Sequence, residues 1–351
     1  MQTRRGANWL LWLAVLVSGL VVSSLVPGVD GAWAQGGPPY KLKLPGVISY
    51  ELNLPSLVAY ANGYFTEEGI ELTDFVVGSG GTLRTAMIAK EFDVGLFGFV
   101  HVPLARIAGS PWKMVLSTHD LEIFSLVVRS ELKDKVKTVA DLRGMKVGFS
   151  TPGAASWYMG SVFLKKAGLD PEKDVQYVSL GGDPGVIYTS LKTGRVDAFS
   201  AWEPTTTRVI EEGVGYPLVP IWEPDEHRRW VGPKALALGL VTREDVIKDR
   251  PDLVRRMVNA HKKGLAFIRS RSSAEVAEAV LKNPKTAEQF KGLDRALVVK
   301  IFDRIKAGFG DGCLSRSGFE AEMKLALEYK LVKRAVSFEE FGDASFAGEC
   351  P

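Results

Sequence analysis

The sequence predicts an α/β fold built as two similar lobes with a ligand cleft between them. Three observations lead there. The stretch Val77–Phe99 (VGSGGTLRTAMIAKEFDVGLFGF) opens on glycines after an apolar run. It continues as a short helix with Leu83, Met87 and Ile88 on one side and closes on a second apolar run after Asp93. Strand, glycine loop, helix, strand is the repeating unit of an α/β domain. The same order returns about a hundred residues later at Ser179–Trp202, where Gly78 corresponds to Gly181 and Asp93 to Asp197. Finally, 351 residues exceed one typical core, and the chain reads as leaving the first lobe near His119 and returning near Pro233. The expected organisation is lobe I from 41–118 plus 231–351 and lobe II from 119–230. Two connections of this kind let rigid lobes close on a ligand with little local strain.

The ends of the chain set the compartment. Arg4 and Arg5 precede an apolar run from Trp9 to Val26, and Ala32-Trp33-Ala34 supplies small residues before Gln35. Residues 1–34 therefore read as a secretory signal peptide, and 35–40 as a linker. An uncleaved anchor is the competing reading, weakened by Ser18, Gly19, Ser23 and Ser24. Thr3-Arg4-Arg5 leaves general secretion and the twin-arginine route both open. No cysteine lies at the cleavage site for a lipid anchor, so a soluble periplasmic protein is expected. Losing Arg4, Arg5 and Asp30 turns a formal charge of +3 into +2. With no basic tract in the mature chain, nothing points to nucleic acid. Cys313 and Cys350 are the two cysteines. In an oxidising compartment they are expected to pair and close a loop of about 37 residues, worth about 3–4 kcal/mol by chain entropy; two unpaired thiols are the alternative.

The elements follow in order. Lys41–Ile48 reads as the first strand, and Asn53-Leu54-Pro55 as a helix start ended by Asn62-Gly63. Strand Ile70–Val77, helix Thr82–Ala89, strand Asp93–Phe97, helix Val102–Ala108 and strand Trp112–Ser117 complete the first series. Leu121–Arg129 is an extended run into lobe II. Strand Lys146–Ser150, helix Ala155–Ala167, strand Val175–Leu180, helix Gly185–Leu191, strand Ala198–Trp202, helix Thr205–Glu212 and strand Leu218–Trp222 form that lobe. Pro224–Pro233 reads as a polar turn, and Ala235–Thr242 as the returning strand. From Pro251 the pattern is helical, with Val254, Met257, Val258, His261, Leu265 and Ile268 on one face. Helices at 274–281, 294–307 and 320–331 are expected to pack on lobe I.

The ordered motifs ANGYFTEEGIEL, GSGGTLRTAMIAKEFDVG, TVADLRGMKVGFSTPGAASW, KKAGLDPEKDVQYV, LKTGRVDAFSAWEP and RPDLVRRMVNAHKKGL resemble the periplasmic solute-binding proteins of ABC importers. The resemblance is to the branch serving sulfonates, taurine, nitrate and thiamine-precursor pyrimidines, and runs from about Lys41 to about Ile268. It implies a type II periplasmic-binding-protein fold, a monomer, and delivery of a small molecule to a membrane permease driven by a cytoplasmic ATPase.

Ligands of open α/β sheets sit beyond the carboxyl ends of strands, where helix starts offer unpaired N–H groups. Four turns qualify: Ser49, Tyr50 and Asn53; Ser79, Gly80, Gly81 and Thr82; Thr151, Ala154 and Ser156; and the turn at Asp183. Each can equally be an ordinary helix cap. His101 follows a strand end and is a candidate donor, with a structural role as the alternative. Trp157, Tyr50 and Phe99 are wall or core. By the resemblance, Trp202 walls the pocket and Glu203 or Asp183 pairs with a ligand amine. Glu203 also fits a helix-start carboxylate. Trp202→Ala is expected to weaken binding more than folding. No arginine is obviously placed at a strand end as a clamp for a sulfonate or carboxylate, so no bidentate clamp is expected. No His/Cys/carboxylate spacing reads as a metal site, and no cofactor is expected.

Two other readings compete with a non-catalytic binding protein. One is an enzyme on the same scaffold, similar to pyrimidine synthases, which needs a reactive histidine and a cysteine-rich iron site. The other is a ligand-sensing component of a signalling system.

Overall fold

The structure is a computed structural model that describes residues 39–351. The expected leader and most of the linker lie outside the described residues. The strands are β1 (Tyr40–Gly46), β2 (Ile70–Val77), β3 (Val94–Gly98), β4 (Trp112–His119), β5 (Ser125–Arg129), β6 (Lys146–Phe149), β7 (Gln176–Ser179), β8 (Ala198–Ala201), β9 (Gly215–Val219) and β10 (Leu238–Arg243). The early helices are α1 (Tyr50–Ala61), α2 (Tyr64–Glu67), α3 (Gly80–Ile88), α4 (His101–Ile107), α5 (Ala155–Lys166), α6 (Pro184–Lys192), α7 (Thr205–Glu211) and α8 (Pro224–Trp230). After β10 come α9 (Glu244–Asp249), α10 (Pro251–Ser270), α11 (Ser273–Lys282), α12 (Pro284–Ala287), α13 (Arg295–Ile305), α14 (Arg316–Glu328), α15 (Phe338–Phe341) and α16 (Ala344–Ala347). Among the described residues no helix is long and apolar enough to cross a membrane.

Three sheets carry the two lobes, a two-stranded and a three-stranded one in lobe I and a five-stranded one in lobe II. In lobe I, β1 and β2 pair in parallel and β10 runs antiparallel between β3 and β4. Gly95 of β3 faces Pro45 of β1, which sets the two groups side by side. In lobe II the order is β7-β6-β8-β5-β9, with β5 antiparallel to both neighbours. The repeated aspartates do the same job in each. Asp93 receives Arg243 at the end of β10 (3.3 Å), and Asp197 receives Arg129 at the end of β5 (2.9 Å). Each ion pair ties the start of a central strand to the antiparallel strand beside it.

The two crossings, 120–124 and 231–237, touch each other. The Ala235 N–H donates to the Asp120 carbonyl (2.9 Å), and the Glu122 N–H donates to Nε2 of His227 (2.8 Å).

Three elements depart from the sequence reading. Helix α1 begins a turn earlier than Asn53, because the Ser49 hydroxyl caps it by accepting the Leu52 N–H. Pro55 therefore lies inside the helix rather than at its start. The 224–233 segment is mostly helix α8, not a turn. Pro224 occupies the first turn, Asp225 and Glu226 follow it, and Arg228 and Arg229 sit in the last turn, a charge order that suits the helix dipole. The C-terminal helices also reach beyond lobe I. Arg304 of α13 meets Glu203 and Thr207, Lys300 meets Glu211, and Tyr158 of α5 donates to Glu322 of α14 (2.8 Å). They brace both lobes.

The amphipathic face of α10 is buried as expected, and it packs so closely on α1 that a side chain at Gly264 would strike the Pro55 carbonyl. His261 on that face donates from Nδ1 to the Met257 carbonyl and accepts the Ser56 hydroxyl at Nε2. Burial pushes its pKa down to about 4, as suits a neutral core histidine. Cys313 and Cys350 form a disulfide that pins the C-terminal tail.

Candidate ligand-binding site

A cavity of about 410 Å³ lies between the lobes. Its floor and walls are Val47, Leu52, Leu96, Phe97, Ile123, Phe124, Trp202 and Leu238. Its polar rim is Ser49, Gly80, His101, Ser150, Ala154 and Ser156. No Asp, Glu, Lys or Arg lines it among the described residues.

Three helix starts meet there because three β-to-α turns end at the same edge. Ser49 caps α1, Ser79 caps α3, and α5 begins at Ala155 after the turn from β6. Among the described residues, the N–H groups of Gly80, Gly81, Ala155 and Ser156 find no protein acceptor. Gly80 is needed here, since a Cβ would fall 2.7 Å from Nε2 of His101. Ser156 Oγ accepts the Ser150 N–H (2.9 Å) and lies 2.7 Å from Ser150 Oγ, which braces the β6 end.

The lobes meet closely around this space. Trp202 Nε1 donates to the Ile48 carbonyl (2.5 Å), and its ring stands edge-on to Phe124. The Tyr50 N–H faces the Glu203 carbonyl (3.4 Å), and the Glu203 N–H donates to Glu51 (3.0 Å). Arg84 Nη1 donates to the Gly153 carbonyl across the cleft (2.7 Å) and sits 3.2 Å from Nδ1 of His101. Burial, then the Arg84 charge, holds the His101 pKa well below its usual range, so the ring is neutral.

The sequence-predicted residues divide. Ser49, Gly80, His101, Ala154, Ser156 and Trp202 line the cavity. Ser79 and Gly81 stand beside it, packed on Gly182 and Thr151 of the other lobe, and Thr82 is exposed. Thr151 keeps a buried hydroxyl without a partner, as does the Asn53 side-chain carbonyl, while Asn53 Nδ2 donates to Val47 (2.6 Å). Tyr50, Phe99 and Trp157 do not line it. The Tyr50 ring packs on Phe290 and its hydroxyl donates to Gln289 (3.0 Å). Phe99 belongs to the core with Phe319 and Phe341. Neither acid reaches the cavity. Asp183 caps α6 by accepting the Val186 N–H. Glu203 is buried and receives the Thr207 hydroxyl (2.7 Å), the Thr207 N–H (3.0 Å) and Arg304 (3.5 Å).

Sequence reading named Trp202 but missed the rest of the apolar floor, Arg84 and Glu51. Floor residues carry the same side chains as core residues, so pattern cannot separate them. Arg84 was passed over because it stands on the second turn of a helix rather than at a strand end. Ser49-Tyr50-Glu51, a cap followed by an acid, was the available signal for Glu51.

Residues 53–273 match the model of the NMT1/THI5-like family, and the chain belongs to that family. The riboflavin-binding protein RibY of Chloroflexus aurantiacus is 27% identical over 218 residues, which span 60% of this chain and 57% of that protein. A solved protein of Bordetella bronchiseptica RB50 superposes with a TM-score of 0.78 at 21% identity, covering 89% of this chain and 97% of that one. The alkanesulfonate-binding protein SsuA of Xanthomonas axonopodis pv. citri, bound to MOPS, gives 0.68 at 17% identity over 87% and 98%. The periplasmic nitrate-binding protein NrtA of Synechocystis PCC 6803 gives 0.68 at 15% over 88% and 87%. The fold is thus that of periplasmic binding proteins: two α/β lobes around a cleft.

Proposed function

We propose that this chain is an extracytoplasmic solute-binding protein that captures a small molecule between its lobes and presents it to an ABC importer permease. The observation that carries this reading is the cavity itself. It is bounded by both lobes and floored by apolar side chains, it has unpaired N–H groups at its rim, and among the described residues no charged side chain lines it. Such a site suits a ligand with oxygen acceptors at one end and an apolar body at the other. Sulfonates, nitrate and the carbonyl edge of a pyrimidine or flavin meet the first condition. Taurine meets it too, but its ammonium finds no carboxylate at the cavity, so amines are disfavoured. The likeness to proteins named for alkanesulfonate, nitrate and riboflavin supports the class of function. The lobe boundaries at 118/119 and 230/231, the periplasmic location and a monomeric state belong to the same proposal.

The test is a thermal-shift panel on the protein starting at Gln35, with alkylsulfonates, taurine, nitrate, bicarbonate, aminopyrimidine, riboflavin and aromatic carboxylates. A ligand at a thousandfold its Kd adds about 4 kcal/mol and raises Tm visibly. A shift with acceptor-bearing compounds is expected. Turnover of any of them, in place of a shift, would move the reading to an enzyme.

A further inference from the structure

Arg84 and His101 are arranged for a purpose that the cleft alone does not explain. A guanidinium has no acceptor, so the contact from Arg84 Nη1 to His101 Nδ1 (3.2 Å) requires a lone pair on Nδ1. In a neutral ring the proton then belongs to Nε2. That nitrogen borders the cavity beside Gly80, and no protein partner is recorded for it among the described residues. The same Nη1 donates across the cleft to the carbonyl of Gly153 (2.7 Å), in the turn that leads into α5. Gly153 holds that turn with φ +71, a conformation open to glycine.

We propose that Arg84 is a positioning and specificity-determining residue, which fixes His101 as an Nε2–H donor to the ligand and joins that donor to lobe closure through the Gly153 carbonyl. This rests on the cleft being a ligand site. Three consequences follow from the chemistry. The ligand must place an acceptor, not a donor, against Nε2. The arginine charge reaches an anionic ligand through one imidazole rather than by direct contact. Closure completes the array, because the Gly153 bond exists only when the lobes meet.

The experiment is nitrogen-15 NMR of the histidine side chains at pH 7, with His101→Gln used to assign the resonance among the four histidines of the chain. Wild type is expected to show His101 protonated at Nε2. Arg84→Met is expected to mix the two tautomers, and Arg84→Lys, which restores a donor, to return the Nε2–H form. Calorimetric titration with ethanesulfonate is expected to show binding about tenfold weaker in Arg84→Met, the loss of one oriented hydrogen bond from His101 Nε2–H, and within about threefold of wild type in Arg84→Lys. An Nδ1–H tautomer in the wild type overturns the proposal whatever the variants do. So does an Arg84→Met protein with wild-type tautomer and affinity. Failure of ethanesulfonate to bind wild type would instead count against the ligand class proposed above, and the tautomer would still decide the role of Arg84.

Discussion

Two cavities of nearly equal size share the wall at Ile123, and their chemistry is opposite. The first, about 410 Å³ with its opening to solvent included, has no charged side chain on its surface among the described residues. The second, about 400 Å³, lies against the first crossing and α13 and is lined by Glu51, Glu122, Glu203, His119 and Arg304. Burial moves the three carboxyls and His119 away from their ordinary pKa values. The Glu51 carboxyl is pushed up to about 8, by burial first and then by Glu203, and Glu122 up to about 7. His119 Nδ1 lies 2.9 Å from the Leu121 carbonyl and Nε2 3.0 Å from that of Ile305, of which a neutral ring can donate to one; burial lowers its pKa against the pull of both carbonyls. The difference separates two tasks. On the proposed function the first cavity's neutral donors face the ligand, while the buried ionisable groups sit where the lobes and the C-terminal helices meet.

The largest effect expected from that division is on folding. Glu203→Ala would take the carboxylate from Arg304, leaving it the Thr207 hydroxyl, and would remove the acceptor of the Thr207 N–H in a largely buried setting. Removing one partner of a buried pair costs about 3–5 kcal/mol. Urea denaturation should show a loss in that range. A loss under about 1 kcal/mol would mean that the second cavity is wet enough to solvate its charges, and the contrast would fail.

Glu51 gives the next effect, and its sign is set by linkage. Its folded pKa lies above the unfolded value, so the folded state holds the extra proton and loses stability as pH rises from about 4.5 to about 8. Glu51→Gln removes this titration. The variant should gain on wild type across that window, by on the order of 3 kcal/mol at its upper end. Denaturation midpoints at pH 5, 6.5 and 8 measure it, and a constant gap between the two proteins would show that Glu51 is ionised throughout.

Trp202 stands on the boundary between the two tasks. The expectation that Trp202→Ala would touch binding more than folding does not fit a side chain only 2% exposed and bonded across the lobes. Emptying that volume costs about 3–5 kcal/mol. Trp202→Phe is the sharper probe, since it keeps an aromatic wall and removes only the donor to the Ile48 carbonyl. Its expected cost is about tenfold in affinity for a bound ligand, measured by calorimetry, with about 1 kcal/mol in stability.

What the sequence made legible follows from what repeats and what does not. The strand–glycine–helix unit occurs twice, and both copies appear in the structure close to their expected places, as β2–α3–β3 and β7–α6–β8. Helix starts with a free N–H leave a local mark, so Ser49, Gly80, Ala154 and Ser156 could be named in advance. The aromatic residues could not be sorted that way. Phe97 and Phe99 lie two apart at the end of β3, yet Phe97 lines the cavity and Phe99 faces α14 and α15. Only tertiary packing separates them. The reach of α13 onto lobe II was hidden for the same reason, because Arg304 and Glu203 are far apart in sequence and each has an unremarkable local context.

The smallest effect is the most demanding test of the contrast. Among the described residues the first cavity holds one titratable side chain, His101, and burial, then Arg84, lowers its pKa well below the usual range and keeps it neutral. For a ligand whose own charge is constant, such as ethanesulfonate, affinity should therefore vary by less than about twofold between pH 5.5 and 7.5. Stability over the same interval should move, because His261 resists protonation on the acid side and Glu51 resists ionisation on the alkaline side. Flat affinity beside sloping stability would show that ligand reading and lobe bracing are energetically distinct. An affinity that tracked stability would show the reverse: ionisation behind Ile123 would be felt in front of it, through the Glu51–Glu203 contact that joins the lobes.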